Sequence, residues 1–403
     1  MKKKLLWVSQ SPTAFTGLGK SARYILNGLK SKFDVISTGY NFDQKNIEFF
    51  GIDYEIQGLD LKNNSADPSS LGDQVKEYII RYKPDVVVFF GDVRYFLYIP
   101  SIIRDIPDTM LVGYITVDCA NLPLAWLPTI STFDSLIVTS DFAKQEIKRA
   151  YNRDSDVIYL GYNPEIFNLN NKGRAGGMET KQLVTLRVDR NQSRKNWGAT
   201  FDIWNRWCSD KDVSFIYHTK LEPEDAGAPN LKEYMYNLPH FREKSACSKN
   251  YIAKEEDFSR LIKSVDVFFT TSMGEGFGLS ILECAACGIP SVGIDFSASG
   301  ELLRNGAGIA VPPASYFVNS EGVKMVLPNE HFTLEVLDRL YADKKILREA
   351  SEKAKEWAKP YTWQNTISML SDELNKPVGS SILKMKVLGA KGVMQDLKLE
   401  RII

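Results

Sequence analysis

Gly274-Glu275-Gly276-Phe277-Gly278-Leu279-Ser280-Ile281-Leu282-Glu283 is the stretch whose reading organises the rest of the chain. Two carboxylates stand eight positions apart, and a glycine-bracketed loop between them runs into an apolar helix start. Glycines lacking Cβ let a backbone approach a ligand closely. The first N–H groups of a helix are unpaired and carry partial positive charge, so they suit a diphosphate or sugar hydroxyls. Glu275 precedes the turn, and Glu283 is expected about two helical turns inside it. The pair is therefore expected to hold opposite ends of one elongated ligand, and a nucleotide-sugar fits that geometry.

Outward from this stretch, the chain alternates. Residues 4 to 9, Phe33-Asp-Val-Ile-Ser and Asp85-Val-Val-Val-Phe-Phe-Gly read as strands. Met110 to Asp118, Ser135-Leu-Ile-Val-Thr-Ser and Asp156-Val-Ile-Tyr-Leu read likewise, with helical segments between. Continuous β-rich runs of this kind mark parallel strands covered on both faces. The polar stretch 168–181 is the best linker candidate. The alternation then restarts: strands at Gln182 to Arg187, Val213 to His218, Val265 to Thr270, Pro290 to Ile294 and Ile309 to Val311. Helices are expected at Trp197 to Cys208, Glu255 to Ser264, Leu279 to Cys287, 333–342, 344–358 and Gln364 to Leu374. The expected fold class is α/β, with two Rossmann-like doubly wound domains facing across a cleft. Their expected bounds are 1–168 and 169–358. Residues 359–403 form a last helix and a Lys-containing tail that pack back on the first domain. At 403 residues two cores are the prior.

Composition excludes several classes. The chain is 44% hydrophobic and 25% charged, with 50 basic and 50 acidic residues. That balance supplies no global field for nucleic acid. Cysteines at 119, 208, 247, 284 and 287 make no disulfide framework and suit a reducing, cytoplasmic setting. Lys2-Lys3-Lys4 before a short apolar run reads as the lead-in to a strand rather than a signal peptide. No segment approaches the ~20 apolar residues of a membrane span, so membrane contact is expected to be peripheral at most.

With these residues in view, the chain resembles the retaining, glycogen-synthase-like GT-B glycosyltransferases of family 4. Asp266 to Pro290 is similar to their E-x7-E signature with both flanks. Arg190 and Lys195 resemble their diphosphate-binding pair, Tyr159 to Phe167 the segment ending the first domain, and Thr16-Gly17-Leu18-Gly19 the first glycine loop. The resemblance implies a nucleotide-sugar donor of UDP or GDP type and a hydroxyl acceptor, by default a glycan or lipid-linked sugar. It implies that Glu283 binds the ribose and Glu275 orients the sugar. Backbone groups of Gly276, Phe277, Gly278 and Leu279 hold sugar and phosphate, with Gly17 and Gly19 approaching from the other lobe. It also implies that the leaving phosphate takes the acceptor proton, that no cofactor is used and that no metal is bound. The sequence is read as carrying no Asp-x-Asp metal motif and no His/Cys cluster. Many relatives place a His near the sugar in the first domain, whereas this chain has Thr116-Val117-Asp118 there. Asp118 is read either as a contact to sugar or acceptor or as a helix cap.

Alternatives remain open at this level. Ala14 to Ser21 nearly matches a P-loop, which would make the chain an NTPase. A catalytically silent nucleotide-sugar-binding module would keep the same cleft, and an epimerase could share the fold. A viral-type enzyme that glycosylates a DNA base shares the architecture. Cys284-Ala-Ala-Cys287 is read as small residues packing a buried helix, Arg187 as a strand-end residue that could face solvent, and Glu301 as near the nucleotide or a cap.

Overall fold

The computed structural model describes residues 2–60, 69–106, 109–170, 173, 181–248 and 254–376. The tail from 377, including Lys384 to Arg401, and most of the expected linker lie outside the described residues.

Two parallel sheets dominate. The first contains β1 (Lys4–Gln10), β2 (Asp34–Tyr40), β3 (Glu55–Gly58), β4 (Val86–Asp92), β5 (Met110–Thr116), β6 (Ser135–Val138) and β7 (Asp156–Val157). Their spatial order is β3-β2-β1-β4-β5-β6-β7. The second contains β8 (Leu183–Val188), β9 (Val213–His218), β10 (Ser245–Cys247), β11 (Val267–Phe269), β12 (Ser291–Ile294) and β13 (Gly308–Val311), in the order β10-β9-β8-β11-β12-β13. In both sheets the order reverses beside the first strand, so the loops leaving the central strands open into a crevice. The two-domain parallel architecture expected from the alternation is the one found.

Local chemistry explains the elements. The runs Val86–Phe90 and Leu111–Ile115 are buried residue after residue, because helices cover both faces. The helix Gly17–Leu29 starts where the Thr16 hydroxyl accepts from the Gly19 N–H at 3.1 Å. Ser140 caps the helix Asp141–Tyr151 in the same way.

Several details differ from the sequence reading. Asp156 to Leu160 forms only the two-residue β7, because its neighbour β6 ends at Val138 and pairs only with Asp156 and Val157. The last helix spans Trp363–Asn375. Arg187 is fully buried, not solvent-facing. An antiparallel hairpin, β14 (Ser315–Val318) and β15 (Lys324–Leu327), was not anticipated.

The two lobes are stitched together. The helix Trp363–Asn375 returns to the first lobe, where Trp363 stacks on Tyr24 at 5.1 Å and Ile367 fills the space left by Gly28. One hydrophobic cluster runs through both sheets, from Trp7, Val88 and Tyr114 to Val184, Leu186 and Phe268. No helix among the described residues is long and apolar enough to cross a membrane.

Candidate active site

The stretch from Gly274 to Glu283 follows β11 and opens the helix Leu279–Ala286. Gly278 precedes that helix with φ 107°, a conformation that disfavours any side chain. The N–H groups of Leu279 and Ser280 find no acceptor among the described residues. They point out of a helix start toward the crevice, with the polarity that draws anions.

Gly274 and Gly276 matter because the first lobe presses against them. A Cβ on Gly274 would lie 2.0 Å from the Asp118 carbonyl oxygen, and one on Gly276 would lie 2.8 Å from the Thr116 Cβ. Thr139 completes the seam by donating to the Gly276 carbonyl at 2.7 Å. The loop after β11 therefore faces the carboxyl ends of β5 and β6. On the other side of the crevice, a Cβ on Gly17 would lie 3.4 Å from Leu279 Cδ1.

Glu275 is the centre of a charge cluster. Its Oε1 accepts from Lys195 Nζ at 2.5 Å, and its Oε2 lies 3.3 Å from Arg194. Lys195 also meets Asp189 at 2.7 Å, and Arg194 Nε reaches Asp118 of the first lobe at 3.2 Å. Burial raises the Glu275 carboxyl, but Lys195 and Arg194 outweigh it and hold the group at about 2. The buried Arg187 shapes this corner by donating to the Lys195 carbonyl and to Thr271, its guanidinium lying 4.2 Å from the Trp197 ring.

Glu283 sits within the helix, 1% exposed. Its partner is Lys20 of the first lobe, whose ammonium also lies 5.5 Å from the Phe167 ring and 4.0 Å from Glu255. Burial pushes the Glu283 carboxyl up to about 7, opposed by Lys20 and reinforced by Glu255. Lys20 of the near-P-loop sequence is thus turned toward the other lobe.

The structure therefore gathers Glu275, Lys195 and Asp118 in one cluster, with Gly276, Phe277, Gly278, Leu279 and Gly17 along the same crevice. Gly19 packs instead against its own loop, where a Cβ would lie 2.5 Å from the Ala14 carbonyl. Arg190 stands apart. Its side chain is half exposed and paired with Glu224 at 2.8 Å, with no ion pair to the Lys195–Glu275 cluster. Glu301 caps across the lobes: it accepts from the N–H groups of Asp141 and Phe142 at 3.1 and 2.7 Å and from the Tyr159 hydroxyl. Cys284 and Cys287 are buried thiols in the helix and its end. Two Asp-x-Asp triplets do occur outside the site loops, at 154–156 and 210–212. Asp156 and Asp212 pair with Lys376 and Lys181, at the amino-terminal ends of β7 and β9, the edge away from the crevice.

Three site residues escaped the sequence reading. Arg194 lies beside Lys195, and a second adjacent cation was the available signal. Lys20 entered only as part of the stretch that nearly matches a P-loop. Ser297, which accepts from the Glu275 N–H at 2.8 Å, carries no signal in the sequence because its φ of 53° is a product of packing.

Residues 238–357 match the family model described as Glycosyl transferases group 1. No curated protein sequence matches the chain. Among solved structures, a glycosyltransferase from Rickettsia africae superposes with a TM-score of 0.71 at 15% identity, over 95% of this chain and 99% of that one. Sucrose-phosphate synthase from Thermosynechococcus elongatus gives 0.72 at 12% identity, over 96% and 100%. Anabaena HepE, solved with UDP and glucose, gives 0.71 at 15% identity, over 92% and 99%. At such identities the likeness is one of fold. The chain thus has the GT-B architecture, and the part of its second lobe from 238 to 357 is similar to the glycosyltransferase group 1 family.

Proposed function

We propose that this protein is a retaining glycosyltransferase that moves a sugar from a nucleotide-diphosphate sugar to a hydroxyl acceptor, a glycan or lipid-linked sugar. One observation carries the reading. Glu275 and Glu283 flank a single helix start, Glu283 faces Lys20 of the first lobe while Glu275 is joined through Arg194 to Asp118 of that lobe, and the unpaired N–H groups of Leu279 and Ser280 lie between them. A ribose at Glu283, a diphosphate at the helix start and a hexose at Glu275 fit that line in order. HepE binds UDP and glucose in the same fold, which supports a UDP-sugar as the first donor to try.

The chemistry follows from charge. Negative charge grows on the departing diphosphate and positive charge on the sugar ring, so cations held at the phosphate stabilise the transition state. Lys195 carries three N–H donors, two of which Glu275 and Asp189 take, leaving one for the phosphate. Arg190 serves as the second cation once it exchanges Glu224 for the ligand. With these side chains supplying the countercharge, the reading calls for no metal or cofactor. Attack from the face of departure, with the phosphate receiving the acceptor proton, retains configuration. The four buried cysteines are free thiols, in keeping with a reducing cytoplasm.

A thermal-shift screen of nucleotide sugars tests the donor, since a bound ligand raises the melting point by mass action. Transfer or donor hydrolysis should then vanish in Glu275→Ala and fall at least ~10²-fold in Arg190→Ala and Lys195→Ala. Binding without turnover in the wild type would instead make the chain a silent nucleotide-sugar module. ATP hydrolysis more sensitive to Lys20→Ala than to Lys195→Ala would favour the NTPase.

A further inference from the structure

The hairpin β14–β15 belongs to the second lobe by sequence, yet it is built into the first. Val323 is fully buried and Met325 is 5% exposed, both within the first lobe's core beside Val117, Cys119, Leu122 and Trp126. Ala120 and Lys324 form an antiparallel bridge, with N–H···O distances of 3.0 and 2.8 Å. The Asn121 amide donates to the Gly322 carbonyl at 3.0 Å. Arg94 Nε donates to Glu321 at the hairpin turn at 2.8 Å, while its guanidinium lies 4.9 Å from the Trp126 ring. The same Arg94 reaches Asp92 at 2.5 Å and approaches Asp118 Oδ1 at 3.5 Å.

These contacts surround one residue. Asp118 directly precedes the bridged segment 119–121. Its carbonyl abuts Gly274, and the Met325 methyl would lie 3.3 Å from a Cβ on that glycine. Asp118 Oδ2 faces Arg194, whereas the enclosed Oδ1 makes no hydrogen bond. A strand-end loop facing another lobe is ordinarily free to shift, and Arg194, paired with both Asp118 and Glu275, joins the two only while that loop stays in place. Here a hydrophobic anchor, a two-way backbone bridge and a latch of Arg94 with Glu321 fix the loop against the second lobe.

We propose that the hairpin 315–327 is an interlobe strap that positions Asp118 against Glu275, with Arg94 and Glu321 as its polar latch. The inference rests on the transferase reading for what Asp118 does, and the strap residues act through Asp118 rather than on the substrate. Loss of the strap should therefore lower kcat and largely spare donor binding, because Glu283, which faces Lys20, lies away from Asp118. A displacement of about 1 Å at a reacting centre costs about 10²-fold in rate.

The test uses the full chain and two variants. Val323→Asp introduces a charge into the anchor, and Glu321→Ala removes only the half-exposed latch, which keeps the test alive if the first variant does not fold. Amide hydrogen exchange reads the strap without substrate. The Ala120 and Lys324 amides should exchange slowly in the wild type, at loop rates in Val323→Asp, and faster than wild type in Glu321→Ala. With a nucleotide sugar that the wild type turns over, kcat should fall about 10²-fold in Val323→Asp and several-fold in Glu321→Ala, with donor KM within about threefold. Loop-rate exchange in the wild type overturns the proposal. So does wild-type kcat in a folded variant that has lost protection, or a rise in donor KM that accounts for the whole loss. A wild-type chain that turns over no nucleotide sugar overturns the transferase reading itself, and that outcome is distinct from a working enzyme indifferent to its strap.

Discussion

Replacing Lys20 by Met removes the ammonium that faces Glu283 across the crevice, and the consequence depends on pH. Burial raises the Glu283 carboxyl to about 7, with Lys20 already holding it down. A ribose hydroxyl donating to a carboxylate makes a charge-assisted bond roughly twice as strong as one to a neutral acid. The difference is about 1.4 kcal/mol, or tenfold in affinity. Wild-type binding of UDP-glucose, or of whichever nucleotide sugar the screen selects, should therefore tighten about tenfold between pH 5.5 and 8.5, with a midpoint near 7. A diesterified diphosphate keeps constant charge over that range, so the transition reports the protein. In Lys20→Met the carboxyl loses its countercharge and the midpoint moves up by a unit or more. Binding is then weaker than wild type at pH 7, and equal or tighter at pH 9, where the ribose no longer competes with an ammonium. Calorimetry across pH on the wild type, Lys20→Met and Glu283→Gln decides it. A flat wild-type profile, or a wild-type transition that survives in Glu283→Gln, would refute the assignment of Glu283 to the ribose.

Two further outcomes follow from the Glu275 cluster. Glu275 is held at about 2, below its ordinary 4.5, so it contributes stability that is present above 4.5 and lost as pH falls toward 2. The difference amounts to about 3 kcal/mol, and in Lys195→Met most of it should disappear, moving the acid-unfolding midpoint upward in a circular-dichroism titration. An unchanged midpoint would mean the pair does not stabilise the fold. In Gly274→Ala the added methyl meets the Asp118 backbone oxygen, a contact that cannot rotate away. The lobes must shift, so turnover should fall about 10²-fold and the melting point should drop in a thermal scan, whereas wild-type turnover would show that the seam yields.

Much of the site was legible because its determinants are local. The Gly-rich turn, the helix start and the spacing of Glu275 and Glu283 depend on neighbouring residues. Arg190 shows the limit of the same reasoning. Motif spacing places it beside Lys195, but its side chain takes Glu224, because a long exposed guanidinium settles on whichever carboxylate the tertiary fold brings within reach. Glu301 shows it again: only the packed lobes present the helix start at Asp141 to that carboxylate.

What the sequence determined by itself was the alternation of buried strands with helices, hence two parallel-sheet lobes, and the loop that opens the helix at Leu279. Burial periodicity and backbone preference act over a few residues, so they are written along the chain. The tertiary structure alone decided that Lys20 faces Glu283, that Arg194 bridges Asp118 and Glu275, and that Val323 is buried in the other lobe. Charge pairs and hydrophobic anchors between distant residues depend on distance in space, and that is fixed only when the two lobes close on each other.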